Sequence, residues 1–343
     1  MDGIMRAAVF DGSDKLDVRN IPISKLISKE DVLLKVKVAS ICGTDLHILA
    51  SKGLGGLVPT NTILGHEYVG EIIEVGSGIN YLKIGDMVTV SNNIPCGYCD
   101  YCQKNLPNMC VNMRSIGVKE NGGFAEYSIA PAKALYPIPK GLPIEVAVFA
   151  EPVSCVINAL SKVKISPGAP VVILGAGPIG QIFVRLLRFM GVGKIIVSEL
   201  SSYRTNLALK SGADRVLNPD KENIEEGVKA ETGLGAELVV DAVGTLFGTA
   251  LRLVCSGGTI ILFGLARDFK GEGVISQTDI MLREITIKGS YISDYSFPVA
   301  LRVLKQDPLK IEELISCRLE MSKINDGIEL LRKGNAVKVI VYP

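Results

Sequence analysis

The chain has no surplus of charge: 37 Lys+Arg stand against 36 Asp+Glu, for a formal net charge of +1 over 343 residues. Without a basic or acidic excess there is no electrostatic footprint for nucleic acid or an anionic membrane, so neither is expected as a partner. Any apolar run near the ~18 residues of a bilayer-spanning helix is also missing. The opening MDGIMRAAVFDGSDKLDV shows no basic segment followed by an apolar one. No signal peptide is therefore expected, and the cytoplasm is the expected location. Histidine is scarce. The two present, His47 and His66, both lie in the first fifth of the chain, near the isolated Cys42. A sequence this sparing with imidazole has few places to bind a metal or relay a proton. Repeats, low-complexity tracts and long linkers are absent too. With 48% hydrophobic and 21% charged residues, the composition is globular, and the length suggests two domains.

The first 150 residues read as short strands and turns. DVLLKVKVASIC (31–42) alternates in its middle as a half-buried strand does, and EYVGEIIEVGSG (67–78) and GDMVTVS (85–91) are further β-rich runs broken by glycine. After about Pro152 the pattern changes. Continuous apolar strands alternate with helical stretches: VVILG (171–175), IGQIFVRLLRFMG (179–191), KIIVSE (194–199), SYRTNLALKSG, RVLN, ENIEEGVKAETG, AELVVDAVG and TIILFG (259–264). Buried strands joined by crossover helices predict an α/β domain with a doubly wound parallel sheet. From ITIKGSY (285–291) onward one strand, two helical segments and a final KVIVYP remain. That tail is too short for a domain of its own and is expected to rejoin the first.

Gly175-Ala-Gly177-Pro178-Ile179-Gly180 follows a predicted buried strand and opens a predicted helix. In that setting G-x-G-x-x-G points to a dinucleotide. The first glycine permits the tight turn, the second lets the backbone approach a pyrophosphate, and the third allows close helix–strand packing beneath the positive helix end. Glu199 ends the next strand, where an acid accepts hydrogen bonds from the adenosine ribose and repels a 2′-phosphate. NAD is therefore favoured over NADP. Arg204, five residues on, pulls the other way, because a nearby Arg can bind a 2′-phosphate.

Two groups of residues suit metals. Cys96, Cys99, Cys102 and Cys110 lie within fifteen residues, and four thiolates from one segment describe a closed, structural zinc site. The same soft ligands also suit an iron–sulfur cluster. A redox dithiol fits less well, because the loop lacks the strand–helix setting that motif needs. The second group is dispersed: Cys42 in CGTDLH, His66 and Glu67 in GHEYVG, Glu151 in AEPVSC. One thiolate, one imidazole and one carboxylate can hold zinc with a position left open for chemistry. Each taken alone also has an ordinary structural reading: a buried thiol, a satisfied histidine, a carboxylate starting a helix.

CGTDLH, GHEYVG, the four-Cys loop, GGFAEY (122–127), AEPVSC and GAGPIG, in this order and spacing, resemble the zinc-dependent medium-chain alcohol dehydrogenase family, in particular its polyol (sorbitol, galactitol) and threonine branch. The likeness spans essentially the whole chain. It implies a GroES-like β-rich catalytic domain over 1–153, with a structural zinc loop at 95–111. A Rossmann NAD-binding domain over 154–290 follows, and 291–343 returns to the catalytic domain. It further implies two zinc ions per chain. One is catalytic, at Cys42, His66 and either Glu151 or Glu67; the other is structural, at Cys96, Cys99, Cys102 and Cys110. Glu151 takes the place of a Cys of the classical members, with Cys155 the lesser substitute, and Glu67 supports the ligands or exchanges as one. Thr44 matches the family's proton-accepting hydroxyl and His47 the group that passes the proton to solvent. The reaction so implied is oxidation of a secondary alcohol to a ketone, with hydride passing from the zinc-activated alkoxide to NAD.

A sugar alcohol is the first expectation for substrate. Threonine, butanediol and simple secondary alcohols are the alternatives. Where sorbitol dehydrogenases carry an Arg-Tyr pair against substrate hydroxyls, this chain has Ile292 and Ser293, flanked by Tyr291, Asp294 and Tyr295. The family also implies a homo-oligomer, dimer or tetramer. Two other classes fit less well than the enzyme: a non-catalytic NAD-binding protein, against which the intact metal residues argue, and a zinc module that holds nucleic acid or a partner, against which a loop with one Lys, one Asp and no basic patch argues.

Overall fold

The computed structural model describes residues 3–265 and 276–343. Its contacts divide the chain into two compact units, Met1–Ser154 with Ser293–Pro343, and Cys155–Ile292.

The first unit is built on a seven-stranded sheet. Its spatial order is Leu135–Pro137, Met87–Val90, Glu67–Val75, Asp31–Ile41, Lys338–Tyr342 and Ile315–Glu320, with Tyr127–Pro131 also pairing with Asp31–Ile41. The expectation of a half-buried strand at 31–42 is corrected. Within Asp31–Ile41 only Lys35 is exposed, because the strand lies in the middle of the sheet and both of its faces are covered. The chain's last strand, Lys338–Tyr342, runs antiparallel to Asp31–Ile41 and parallel to Ile315–Glu320. The C-terminal tail thus completes the sheet begun at residue 31. A three-stranded sheet (Leu16–Pro22, Ile4–Phe10, Thr62–Ile63) and the small ribbon Asn93–Ile94 with Arg114–Ser115 complete the β structure of this unit. The ribbon brackets the four-Cys loop in sequence.

The second unit carries six parallel strands in the order Arg215–Leu217, Ile195–Ser198, Val171–Leu174, Ala236–Asp241, Val254–Leu262 and Thr286–Gly289. Counted along the chain this is 3-2-1-4-5-6, the doubly wound dinucleotide-binding order. The direction of winding reverses between Val171–Leu174 and Ala236–Asp241, and such a reversal places ligands at the carboxyl ends of those strands. Helix Pro178–Phe189 follows the first strand and buries every residue from Gly180 through Leu187, more than two turns, so all faces of its middle are covered. Among the described residues no helix is long and apolar enough to cross a membrane.

Candidate functional site

Three neighbouring strands deliver one cluster. Cys42 leaves the end of Asp31–Ile41 and caps helix Gly43–Ala50, while Glu67 opens the adjacent strand Glu67–Val75, directly opposite Ser40. Lys338 opens the strand on the other side. His66 is set by the turn before Glu67, where Gly65 has φ +91 and a Cβ would lie 2.6 Å from the Phe124 ring, so only glycine fits. The ligand atoms of Cys42, His66 and Glu67 all lie within 4.8 Å of one another. His66 and Glu67 are buried and Cys42 is half-buried.

Asp45, fully buried on the first turn of Gly43–Ala50, supports two of these groups. Its Oδ2 accepts the Cys42 backbone N–H at 2.9 Å, and its Oδ1 stands 3.4 Å from His66 Nδ1, leaving Nε2 for the cluster. A carboxylate behind a metal-binding imidazole fixes the ring and its tautomer. Burial opposes protonation of His66, but the charges of Asp45 and Cys42 outweigh it and hold the ring well above its ordinary value. Burial and the Glu67 carboxylate push the Cys42 thiol up. Glu67 Oε2 accepts from Ser40 Oγ and Lys338 Nζ, and Lys338 also lies 5.6 Å from the Phe149 ring centre. Removing one partner of such a buried ion pair costs about 3–5 kcal/mol.

The donor set fits a zinc ion. It comprises one thiolate, one imidazole and one carboxylate, and Glu67 Oε1 is buried with no hydrogen-bond partner in the protein. Buried polar atoms are nearly always satisfied, so an orphan oxygen beside a thiol and an imidazole marks a place for a cation. Glu151, in the first turn of helix Ala150–Ser161, is buried but does not join the three ligand atoms; its charge is felt by Lys338. Cys155 is buried further along the same helix. Thr44 Oγ1 is 3.8 Å from Cys42 Sγ, and His47 lies one helical turn beyond Thr44, half-buried.

The four-Cys loop closes on itself. Cys99 Sγ is 3.6 Å from Cys102 Sγ and 3.9 Å from Cys110 Sγ, with no disulfide formed. Four thiolates at 2.3 Å around a tetrahedral zinc stand about 3.8 Å apart, so this loop also fits the ion. Backbone amides point at the sulfurs: Cys96 N–H to Cys110 Sγ at 3.2 Å and Cys99 N–H to Cys96 Sγ at 3.4 Å. Burial pushes the Cys96 thiol up, but the amides of Tyr98 and Cys99 outweigh it and bring it down to about 6. Cys102 is pushed up to about 11 by burial and its sister thiols.

In the second unit Gly175 takes φ +92, and a Cβ on Gly180 would lie 2.0 Å from the Gly175 carbonyl oxygen. The turn therefore demands glycine at both positions. Gly177 caps the helix and Pro178 begins it, followed by the half-buried Ile179. Glu199 is more heavily engaged than its sequence position suggests. Its Oε2 accepts from Ala176 N–H at 2.8 Å, and its Oε1 accepts from Leu200 and Ser201 N–H at 2.9 and 2.8 Å. The acid thus ties the phosphate turn to the next loop. Arg204, half-buried on helix Ser202–Lys210, accepts from Gln181 Nε2 at its carbonyl. In the segment compared above with the sorbitol pair, the Tyr291 and Ile292 carbonyls accept from Asn158 Nδ2. Ser293, Asp294 and Tyr295 line a cavity of about 130 Å³ with Asn93, Pro107 and Tyr136. None of Cys42, His66 and Glu67 lines it.

Asp45, Ser40 and Lys338 were not singled out by sequence. The signals existed. Asp45 is three residues past Cys42 at the N3 position of a helix. Ser40 shares a strand face with Cys42 by the period of two. Lys338 is the one charge within the apolar run AVKVIVYP.

A thiolate–imidazole–carboxylate cluster, a four-thiolate loop and a glycine turn in a doubly wound sheet together define a zinc-dependent, dinucleotide-linked dehydrogenase. Residues 28–140 match the alcohol dehydrogenase GroES-like domain and 178–306 the zinc-binding dehydrogenase domain. The chain is 33% identical to the L-threonine 3-dehydrogenase of Caldanaerobacter subterraneus subsp. tengcongensis, over 100% of both chains. It is 30% identical to the sorbitol dehydrogenase of Bombyx mori, over 98% of each. Among solved structures, a zinc-binding dehydrogenase from Sinorhizobium meliloti 1021 bound to NADP superimposes with a TM-score of 0.92 at 31% identity, covering 99% of this chain and 100% of that one. The chain belongs to the zinc-dependent medium-chain alcohol dehydrogenase family, and it is an oxidoreductase with a GroES-like and a Rossmann-like domain.

Proposed function

We propose that this dehydrogenase oxidises a secondary alcohol, first of all a sugar alcohol, to its ketone with NAD, using one catalytic and one structural zinc ion. The convergence of Cys42, His66 and Glu67 within 4.8 Å carries this reading. Cys42 and His66 would hold the catalytic ion, with Glu67 or Glu151 as third ligand, and Cys96, Cys99, Cys102 and Cys110 the structural one. When bound, the zinc supplies Lewis acidity that makes a hydroxyl easier to ionise, and the nicotinamide supplies a hydride acceptor. The protein's share is positioning and proton removal. Thr44 Oγ1 accepts the hydroxyl proton beside the cluster while giving up its own, which His47, one turn further along the helix, takes up and passes to solvent. Asp45 keeps the His66 ring oriented throughout.

The catalytic unit is taken as residues 1–153 and 291–343 and the cofactor unit as 154–290, with the turn Gly175–Gly180 under the pyrophosphate. NAD is preferred because a carboxylate at Glu199 repels a 2′-phosphate. With three backbone amides already on its oxygens, it keeps roughly one of its four lone-pair sites for a ribose hydroxyl. Arg204 stands by as the residue that would accept NADP. A cytoplasmic homo-oligomer, dimer or tetramer, completes the proposal. The edge strand Thr286–Gly289 is exposed along its length, beside exposed Met281 and Leu282, and offers a surface for a second copy.

L-threonine oxidation is the second reading, favoured by the full-length relative of that name. Initial rates of NADH and NADPH formation with polyols, vicinal diols, simple secondary alcohols and threonine separate the two. Polyol turnover with NAD supports the first and threonine turnover the second. Silence with metal and NAD bound refutes both.

A further inference from the structure

Lys338 is among the most deeply buried charges in the protein, at 1% exposure, and it opens the final strand. A lysine is placed in a core only where an anion and directed acceptors hold it. Here the anion is Glu67, whose Oε2 receives both the Lys338 ammonium and the Ser40 hydroxyl, while the ammonium sits near the face of Phe149. Oε1 has no partner, and Glu67 is the carboxylate that comes within reach of Cys42 and His66. A carboxylate gripped by one oxygen cannot rotate freely, so the other oxygen has a fixed direction. Pairing strand Asp31–Ile41 with both Glu67–Val75 and Lys338–Tyr342 builds this grip into the sheet: Ser40 lies opposite Glu67 on one side and Ile340 on the other.

We propose that Lys338, with Ser40, is a positioning residue for the metal site: it pins Glu67 by Oε2 and so presents Oε1 to the Cys42–His66 cluster. The inference rests on the zinc reading above and deepens it. It concerns how the site is held, and it is independent of which alcohol is oxidised.

The test uses the full-length chain loaded with cobalt(II) and read by its visible d–d absorption and by the rate of metal loss to excess chelator. Lys338→Met is expected to change the spectrum of the Cys42 site and to speed release from it about 10–100-fold, the usual effect of losing a partner behind a ligand. Release from the four-thiolate loop stays unchanged as an internal reference. Lys338→Arg, which keeps a cation, keeps most of the parental spectrum and release rate. Because Lys338→Met leaves a buried carboxylate without its cation, Glu67→Gln and the double variant Lys338→Met/Glu67→Gln supply a comparison that does not depend on its folding. If Lys338 acts through Glu67, the double variant releases metal no faster than Glu67→Gln alone. An unaltered spectrum and release rate in Lys338→Met, or a double variant faster than Glu67→Gln, would overturn the proposal. His66→Ala separates the two layers. If it loses one of two metals while Lys338→Met behaves as the parent, the grip is refuted and the zinc site stands. If it retains both metals, the zinc reading itself fails.

Discussion

Asp45→Asn is the most discriminating single change near the cluster. The carboxylate is completely buried, with Oδ2 on the Cys42 N–H and Oδ1 facing His66 Nδ1. Asparagine keeps the shape and an acceptor oxygen, so the N–H of Cys42 stays satisfied and the helix stays capped. What changes is the group facing the ring. An amide NH₂ in place of Oδ1 makes Nδ1 an acceptor and moves the neutral ring's proton to Nε2, the nitrogen needed for a metal. Loss of such a partner lowers metal affinity about 10–100-fold, or roughly 1.4–2.7 kcal/mol at 1.36 kcal/mol per decade. The metal-free fold also loses the buried Asp45–His66 ion pair, a cost of up to about 3–5 kcal/mol that shrinks as pH rises and the ring becomes neutral. Competition against a chromophoric chelator measures the first quantity and thermal melting of metal-free protein the second. Parental zinc affinity at the Cys42 site would refute the argument.

Other consequences follow from separate parts of the molecule. Cys99→Ser should remove one zinc per chain and lower the melting temperature by roughly 5–10 °C. Parental melting with the loop metal absent would contradict a structural role. Glu199→Ser should shift preference toward NADP and also weaken NAD, because the amides of Ala176, Leu200 and Ser201 lose their acceptor. Calorimetric titration with both cofactors checks this, and an unchanged ratio would remove Glu199 from the ribose site. The Arg318 guanidinium, helped by the Tyr342 hydroxyl, holds Glu145 below its ordinary value of 4.5. The unfolded chain therefore takes up that proton first on acidification, so this stabilisation is complete above about pH 5 and is lost as pH falls below it. Denaturant titrations should show Glu145→Gln with a shallower loss of stability between pH 5 and 3; a slope equal to the parent's would refute it.

The parallel sheet was legible because its strands are continuous apolar runs separated by helical periodicity, and the glycine turn sits where strand gives way to helix. Helix Gly43–Ala50 escaped notice because its eight residues are too few to show a period. Strand Ile315–Glu320 is half-exposed at the sheet edge and interrupted by Arg318, so no apolar pattern marks it. The four-Cys loop was legible from spacing alone, because all its ligands come from one segment. The dispersed cluster was not. Cys42, His66 and Glu67 meet only because strand Glu67–Val75 pairs with Asp31–Ile41 in the register that sets Glu67 against Ser40. Lys338 arrives from 271 residues away through the last strand. Long-range pairing of this kind leaves no local mark, which is why the approach of Glu67 to Cys42 and His66 cannot be read from spacing.

His66→Ala tests the central claim most directly, with zinc content, NAD binding and alcohol oxidation measured on the same preparation. The account predicts one zinc per chain in place of two, NAD bound as in the parent, and turnover abolished. Turnover that survives with a single zinc, or two zinc ions still bound, would contradict it.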